Sequence, residues 1–314
     1  MRILVVGAGA LGGYFGGRLL QAKRDVTFLV RERRAAQLRS KGLRIKSPTG
    51  DLELRDPPTV RAAQLRARFD LILLSCKAYD LQSAINDFAP AVDESSAILP
   101  LLNGMHHLQV LDSRFGAHAV LGGQCLISSA LDAEGQILHL NDLHSLSFGE
   151  RDAPNSDRAT TILEELTGAG FEARLSPRIL QEMWEKWVFI AALGGITCLM
   201  RASIGDIAAA GAAPLAARLY GECARIAEDA GFPPGESMRQ RSLAALTTPG
   251  SPLTASMLRD IESGGRTELD QILGDLLMRR RSSATADEVD ASLLSIACAH
   301  LRAYENRRRG AASG

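Results

Sequence analysis

The sequence predicts an α/β N-terminal domain with a doubly wound, mostly parallel sheet, followed by an all-α C-terminal domain. Up to residue 176, short runs of buried β-branched and aliphatic residues alternate with helical segments. After Pro177 no further strand pattern appears. Alternating strands and helices favour a parallel sheet with helices on both faces. We therefore predict two domains, residues 1–176 and residues 177–314.

The predicted elements follow from hydrophobic periodicity and from the Gly, Pro and Asp residues between them. Strands are predicted at 2–6, 26–30, 70–75, 97–102, 120–123, 136–140, 145–149 and 171–175, with a short strand pair around 48–51. Helices are predicted at 10–22, 34–41, 79–88, 157–169, 179–193, 214–231, 236–247, 251–263, 267–283 and 287–306. The segment 307–314, which begins with three arginines, is predicted to be a frayed, solvated tail.

The composition argues against several classes of partner. The 36 Lys and Arg residues balance 36 Asp and Glu residues, so we expect no nucleic-acid partner. The apolar stretch 187–200 contains two glycines and is too short to span a bilayer, so we expect no membrane partner. Five scattered cysteines without a C-x-x-C pair are typical of reduced thiols in the cytoplasm, where we expect the protein. No histidine spacing predicts a metal site.

A glycine-rich turn follows the first predicted strand. Residues 7–12 read G-x-G-x-x-G between a buried strand and a helix, which is the context that makes this motif specific. Its glycines allow a tight turn and a close backbone approach to a pyrophosphate, which the N-terminus of the helix then faces. The turn therefore predicts a Rossmann dinucleotide site with these cofactor-binding residues: Gly7, Ala8, Gly9, Ala10, Leu11 and Gly12.

The end of the second strand decides which dinucleotide is expected. In NAD enzymes a carboxylate at this point holds the ribose 2′-hydroxyl, whereas this strand ends at Arg31. A guanidinium can grip a 2′-phosphate with two hydrogen bonds. Glu32, which follows directly, is the one residue that argues against this interpretation. We expect NADP(H) as the cofactor.

Two further polar residues end successive strands. Lys77 follows the strand 70–75, and Asn103 follows the strand 97–102. Because ligands of open α/β sheets bind at the carboxyl ends of the strands, both residues are candidates for the cofactor crevice.

Lys186 is the candidate proton donor. It falls inside the apolar arc of the helix 179–193 rather than on its wet face. A lysine there either extends its ammonium group towards water or occupies a pocket in which it can donate a proton near neutral pH. The sequence alone leaves both readings open.

A carboxylate follows the glycine pair Gly264-Gly265. Thr267 is predicted as an N-cap and Glu268 as a residue of the first helical turn. A carboxylate at that position stabilises a helix end even without a further role. The sequence alone therefore favours neither a structural nor a functional role for Glu268. Ser256 and Asp260 lie one turn apart and share a face.

Together these motifs resemble the ketopantoate reductase (2-dehydropantoate 2-reductase) family over nearly the whole chain. The matching pieces are GAGALG at 7–12, Arg31, S-C-K-A with Lys77, N-G-M at 103–105, W-E-K at 184–186, and S-M-L-R-D-I with R-T-E-L-D at 256–270. The resemblance implies an NADPH-dependent reductase of a 2-keto acid. It implies that Lys186 is the general acid and that Glu268 is its partner and a substrate contact. It also implies that Ser256 holds the substrate carboxylate, with Asn103 and Lys77 at the junction of cofactor and substrate.

The sequence departs from the family pattern at two positions. The family has Asn four and eight residues after the catalytic lysine, where this chain has Ile190 and Gly194. The expected pocket is therefore less polar, with a hydrocarbon and a gap in place of two amides. Arg201, just downstream, is a candidate replacement anchor for the substrate carboxylate.

The expected function is the reduction of ketopantoate to pantoate, a step of pantothenate biosynthesis. The first alternative is reduction of another keto acid, bulkier and less polar. The second is an NADP(H)-binding regulator without turnover, against which the retention of Lys186, Glu268 and Ser256 argues. We expect a homodimer.

Overall fold

The computed structural model describes residues 1–152, 156–280 and 292–312. The chain divides into two compact units, one of residues 1–102 and 107–180 and the other of residues 103–106 and 181–314. The division lies in the first turn of a long helix that begins at Ile179. The short segment 103–106 belongs to the second unit although it lies within the first domain of the sequence prediction.

A parallel five-stranded sheet forms the centre of the first unit, as predicted. Its strands run in the order β5-β2-β1-β6-β7, and every neighbouring pair is parallel. Because helices cover such sheets on both faces, central strands are buried along nearly their whole length. The strands are β1 (Arg2–Val6), β2 (Asp25–Leu29), β5 (Thr59–Val60), β6 (Leu71–Leu74) and β7 (Ala97–Pro100).

Five helices belong to the first half of the chain. They are α1 (Ala10–Gln21), α2 (Glu32–Lys41), α3 (Leu81–Phe88), α4 (His106–Phe115) and α5 (Asp157–Leu166). The approach of α1 to the sheet is very close, since a Cβ on Gly16 would lie 2.5 Å from the ring of Phe28. Helix α4 was not predicted, since its short sequence carries little apolar periodicity.

A second, mixed sheet also belongs to the first unit, and the sequence did not indicate it as a separate layer. It runs β10-β9-β3-β4, with β8 antiparallel to β9. Its strands are β3 (Leu43–Lys46), β4 (Leu52–Leu54), β8 (Gly122–Leu131), β9 (Ile137–Gly149) and β10 (Glu172–Leu175). The prediction of two strands at 136–140 and 145–149 was wrong in that β9 is one strand, although its pairing with β8 shifts register between His139 and His144. The polar Asn141 within it is not a turn, since its Oδ1 accepts a hydrogen bond of 2.9 Å from the backbone N–H of Ser128.

The described part of the second unit is helical, and it contains no strand after β10. Its helices are α6 (Ile179–Met200), α7 (Ile204–Ala209), α8 (Ala213–Asp229), α9 (Glu236–Thr247), α10 (Ser256–Glu262), α11 (Asp275–Met278) and α12 (Leu293–Ala312). A π-helical segment, Asp270–Gly274, directly precedes α11. Helix α10 begins later than predicted, because the carbonyl oxygens of Ser251 and Leu253 accept hydrogen bonds from the N–H groups of Gly205 (2.8 Å) and Ile204 (3.0 Å) instead of from a helical turn.

Helix α6 is longer than its sequence indicated. It has 22 residues and is the one helix among the described residues that is long and apolar enough to cross a membrane, with a mean hydropathy of 1.3 in its most apolar window. The apolar stretch 187–200 of the sequence analysis is the second part of this longer helix. However, 67% of that window is buried, and every residue from Ala191 to Cys198 is buried. Burial of this extent is typical of a core helix.

The arginine-rich end of the chain is helical. Helix α12 continues to Ala312, and Arg308 pairs with the buried Glu305 at 3.1 Å. The prediction of a frayed tail from residue 307 was therefore wrong as far as Ala312. Residues 313–314, and the segment 287–291 that was predicted to begin this helix, lie outside the described residues.

Candidate active site

The glycine-rich turn joins β1 to α1 in the first unit. Gly7 has a φ of +95°, which an L side chain rarely adopts, so the turn requires glycine there. No side chain caps the N-terminus of α1 at Gly9. The first N–H groups of the helix are therefore left for a ligand or water, and they favour an anion.

The other two glycines of the motif have different surroundings. A Cβ on Gly12 would lie 2.0 Å from Ser75 Oγ and 2.2 Å from the Gly7 carbonyl oxygen, so the helix can approach β6 only with glycine here. A Cβ on Gly9 would meet no atom within 4 Å, which leaves open space beside the turn. Tight packing at Gly12 and open space at Gly9 fit a dinucleotide pyrophosphate. Ala8 is buried, whereas Ala10 and Leu11 are half-buried.

Ser75 and Arg34 hold this turn, and the sequence analysis did not identify either role. Ser75 Oγ donates to the carbonyl oxygens of Val6 (2.9 Å) and Gly7 (3.1 Å). Arg34 Nε donates to the carbonyl oxygen of Ala8 at 2.9 Å, and its Nη1 donates to that of Gly135 at 2.9 Å. Burial, followed by the nearby Arg33, lowers the pKa of Arg34. Arg34 is thus occupied by the protein backbone.

Arg31 and Glu32 lie after β2, where the ribose of a dinucleotide is expected. Arg31 is exposed and pairs with Asp80 at 3.1 Å. Glu32, the residue that argued against NADP(H), is paired with Arg61. Its charge is therefore countered by a guanidinium of the same surface. Lys77 is exposed and precedes the short 3-10 turn that carries Asp80.

Lys186 lies in the first half of α6, in the second unit. It is half-buried, and its neighbours Met183, Trp184 and Trp187 are buried. Ile190, one turn later, is half-buried, and Gly194, two turns later, is fully enclosed. A Cβ on Gly194 would lie 2.6 Å from the Cε of Met257, so the expected gap at this position is filled.

Glu268 is buried, with 8% of its surface exposed, and it directly precedes the helical turn that starts at Leu269. The prediction of Thr267 as the N-cap was wrong. The carbonyl oxygen of Glu268 accepts the first helical bond, from the N–H of Ile272 at 3.0 Å. Thr267 instead donates its backbone N–H (2.7 Å) and its hydroxyl (2.8 Å) to Glu305 of α12. A buried carboxylate competes better for these donors than the helix terminus does.

The remaining candidates also belong to this helical unit. Asn103 is half-buried and precedes Gly104, which has a φ of +77°. Ser256 is exposed and is the first residue of α10. Arg201 is exposed, has a φ of +55°, and follows the last residue of α6. It occupies the left-handed position that ends the helix, since Ala202 N–H donates to the Thr197 carbonyl at 3.3 Å.

Thiol and metal chemistry have few candidates in this structure. None of the five cysteines, all of which lie in the described part of the chain, forms a disulfide, and burial raises the pKa of Cys198 to about 12, which keeps it protonated at neutral pH. Among residues 1–152, 156–280 and 292–312, no three His, Cys, Asp or Glu side chains form a group that could hold a metal ion.

Comparison with known families decides the assignment. The family description "Ketopantoate reductase PanE/ApbA" matches residues 3–153, and "Ketopantoate reductase PanE/ApbA C terminal" matches residues 178–305. The chain belongs to the ketopantoate reductase family. It is an oxidoreductase that acts on the CH–OH group.

Individual relatives are more diverse than the family name. The chain is 37% identical over 306 residues to the "Uncharacterized oxidoreductase YkpB" of Bacillus subtilis, covering 97% of this chain and 99% of YkpB. It is similar to the crystal structure of 2-dehydropantoate 2-reductase from Methylococcus capsulatus, with a TM-score of 0.84, 26% identity and 98% coverage of both chains. The ternary structure of D-mandelate dehydrogenase with NADH and anilino(oxo)acetate shares the fold, with a TM-score of 0.87, 20% identity, and coverage of 98% of this chain and 100% of that one.

Proposed function

We propose that this protein reduces a 2-keto acid to the 2-hydroxy acid with NADPH, and that ketopantoate is its leading substrate. On this proposal it forms pantoate in pantothenate biosynthesis. The observation that carries the proposal is that Asn103, Lys186, Ser256 and Glu268 belong to one compact unit, although they come from four separate segments. Asn103 belongs to this unit because the segment 103–106 is part of it, although the residues on either side belong to the first unit. If each of the four residues had only a local structural role, nothing would require all of them to lie in the same compact unit.

The chemistry assigns a role to each of these residues. NADPH, when bound, supplies a hydride to the keto carbon. The ammonium group of Lys186 donates a proton to the carbonyl oxygen, on which negative charge grows as the hydride arrives. Glu268 orients that ammonium group and contacts the substrate. The Ser256 hydroxyl donates to the substrate carboxylate, and Asn103 orients the substrate beside the cofactor.

The test is an assay of NADPH oxidation with ketopantoate, using wild type and Lys186→Ala. We expect turnover that the variant loses by about 100-fold or more, the usual contribution of a positioned acid. The exposed Lys46→Ala is the matched control and should retain wild-type turnover. NADPH binding without oxidation by any keto acid would instead support a regulator and would refute the proposal.

The selectivity of NADPH over NADH is part of this proposal, and Arg31 supports it. Its exposed guanidinium, in a surface ion pair with Asp80, is available to a 2′-phosphate because exposed pairs contribute little stability. The pairing of Glu32 with Arg61 reduces the repulsion that a free carboxylate would exert on the phosphate. We expect a lower Kd for NADPH than for NADH.

A second candidate substrate is a 2-keto acid without the hydroxyl of ketopantoate. The half-buried Ile190 and the contact between Gly194 and Met257 favour it, since neither position offers a hydrogen bond to a substrate hydroxyl. A site that offers no hydrogen bond to the substrate hydroxyl gains no affinity from that hydroxyl. The matched pair for the test is ketopantoate and 3,3-dimethyl-2-oxobutanoate, which lacks only the hydroxyl. A higher kcat/KM for the second compound would favour this candidate.

We further propose a cytoplasmic homodimer with a small-molecule substrate and no nucleic-acid or membrane partner. The five cysteines, all described, form no disulfide, which suits a reducing compartment. Four leucines on β8 and β9 are exposed, and a second copy could cover some of them, namely Leu126, Leu131, Leu140 and Leu143. Light scattering coupled to size exclusion measures the mass, and a monomer would refute the dimer.

A further inference from the structure

Trp187, the residue after Lys186, makes a buried hydrogen bond to the π-helical segment. Its indole Nε1–H donates to the carbonyl oxygen of Ile272 at 2.9 Å. Trp187 has no exposed surface and is the largest fully buried side chain of the chain's described residues. An indole has one N–H and one direction in which to donate it, so this bond fixes the distance and the angle between α6 and residue 272.

The same π-helical residue is bonded to Glu268. The backbone N–H of Ile272 donates to the carbonyl oxygen of Glu268 at 3.0 Å. Two consecutive hydrogen bonds therefore join Glu268 to Trp187, through the two backbone groups of Ile272. Lys186 directly precedes Trp187 in α6. Residues 270–274 also form a π-helical turn. Such turns are rare in proteins, and those that occur often lie at functional sites.

The segment that carries Asn103 meets the same turn. A Cβ on Gly104 would lie 2.7 Å from the carbonyl oxygen of Gln271, so the backbone of Gly104 packs directly against the π-helical segment. The φ of Gly104 is +77°, which independently requires glycine. The π-helical segment thus contacts the Asn103 segment on one side and α6 on another.

We infer that Trp187 is a positioning residue for the reduction, because its indole N–H holds the Glu268 segment in register with Lys186. The inference rests on the proposed function and adds to it a residue that touches neither substrate nor cofactor. A donor and its partner must be held within fractions of an ångström to act together, and a small misplacement can cost a large factor in rate. The buried bond supplies that constraint at a point where water cannot replace it.

Trp184 provides a matched control on the same helix. Its side chain is also buried. The ring centroids of Trp184 and Trp187 are 4.9 Å apart, and those of Trp184 and the stacked Phe232 are 5.6 Å apart. The guanidinium of Arg279 lies over both indoles, with its Cζ 5.7 Å from the ring centroid of Trp184 and 5.5 Å from that of Trp187. Among the described residues, however, the indole N–H of Trp184 makes no hydrogen bond. Trp→Phe at each position therefore removes similar apolar surface, and only one substitution removes the bond.

The experiment compares full-length Trp187→Phe and Trp184→Phe with wild type and Lys186→Ala. We expect Trp187→Phe to lower kcat for keto acid reduction about 10- to 100-fold, with the Kd for NADPH unchanged and with a displaced pH profile of kcat. Trp184→Phe should keep the wild-type profile and a kcat within about threefold of wild type. Assays are made at a temperature where circular dichroism shows both variants folded.

The outcomes separate the inference from the function on which it rests. Equal kcat values and pH profiles for the two Trp→Phe variants would overturn the inference alone, because packing would then account for both. Loss of stability in Trp187→Phe without a change in the pH profile of the folded enzyme would also overturn it. A wild type that reduces no keto acid, or an unimpaired Lys186→Ala, would overturn the proposed function and the inference with it.

Discussion

The terminal methyl of Met257 occupies the space next to Gly194, 2.6 Å from where a Cβ on that glycine would lie. Met257 is 1% exposed, so its methyl can shift only within the packed interior. The contact brings α10, which begins with Ser256, against the second half of α6. An asparagine at position 194, as in the family pattern, would displace the terminal methyl of Met257. The glycine thus replaces an amide by a packing contact rather than by a hole.

Substitution of Gly194 should therefore destabilise the protein. Gly194→Ala adds a methyl against the end of Met257, and we expect a net loss of about 1 kcal/mol in the free energy of unfolding, because overpacking outweighs the helix-propensity gain of alanine. Gly221 is the control, since it also lies in a helix but a Cβ there meets no atom within 4 Å. Gly221→Ala should gain about 0.5–1 kcal/mol from helix propensity. Urea denaturation of both variants measures the difference, and stabilisation by Gly194→Ala would contradict the observed contact.

The two glycines after Gly7 should respond differently to the same substitution. Gly9→Ala leaves the fold intact, because the added methyl meets no protein atom. We expect an unchanged Tm and an increase of about tenfold or more in the Kd for NADPH, since the methyl occupies the space of the pyrophosphate. Gly12→Ala should lose both stability and binding, because the methyl clashes with Ser75 and with the Gly7 carbonyl. Calorimetry gives both quantities, and tight NADPH binding by Gly9→Ala would argue against the assigned phosphate site.

Arg31 should control the choice between the two cofactors. Arg31→Ala removes charge-assisted hydrogen bonds worth about 1.5–3 kcal/mol, so the Kd for NADPH should rise about 10- to 100-fold. The Kd for NADH, which lacks the 2′-phosphate, should change by less than about threefold. Asp80→Asn should tighten NADPH binding, because Arg31 then no longer shares its charge with a carboxylate. Equal losses for the two cofactors in Arg31→Ala would place the 2′-phosphate elsewhere.

Glu305 should make stability depend on pH at the acid end. Burial raises the pKa of Glu305, but hydrogen bonds from Thr267 and Arg308 outweigh burial and leave the pKa below the ordinary value of 4.5. A lowered pKa means that the ionised form stabilises the fold above the ordinary value and that this contribution is lost as the pH falls through the folded value. At pH 7, Glu305→Gln should cost about 2 kcal/mol.

The control for that prediction is Glu262→Gln, which changes an exposed carboxylate at the end of α10. Unfolding is followed in urea at several pH values. The difference between wild type and Glu305→Gln should be complete at pH 7 and shrink below about pH 4.5. If the difference in unfolding free energy between wild type and Glu305→Gln grew as the pH fell, the pKa of Glu305 could not be lowered in the folded protein, and the prediction would be contradicted.

Local signals in the sequence predicted most of the first domain. The pattern G-x-G-x-x-G after a buried strand depends only on neighbouring residues, and the observed turn, sheet and helix α1 agree with it. The continuity of β9 was not predictable in this way. Asn141 resembles a turn residue until its side chain is seen to bond Ser128 on the paired strand.

The second unit shows where sequence reasoning ends. Lys186 and Glu268 could be selected from their own segments, but the partner of Thr267 is Glu305, which lies 38 positions away. The filling of the space at Gly194 by Met257 depends likewise on tertiary packing. No local pattern indicates either contact, and none indicates that residues 103–106 join the helical unit.

Chemical rescue of Lys186→Ala is the most direct test of the account, because it asks whether an ammonium group at this point donates the proton. The variant would be loaded with NADPH and a keto acid that wild type reduces, and NADPH oxidation would be followed with increasing methylammonium. The account predicts slow oxidation by the variant, a rise in proportion to methylammonium, and no effect of methylammonium on wild type. Oxidation at the wild-type rate by Lys186→Ala without any amine would contradict it.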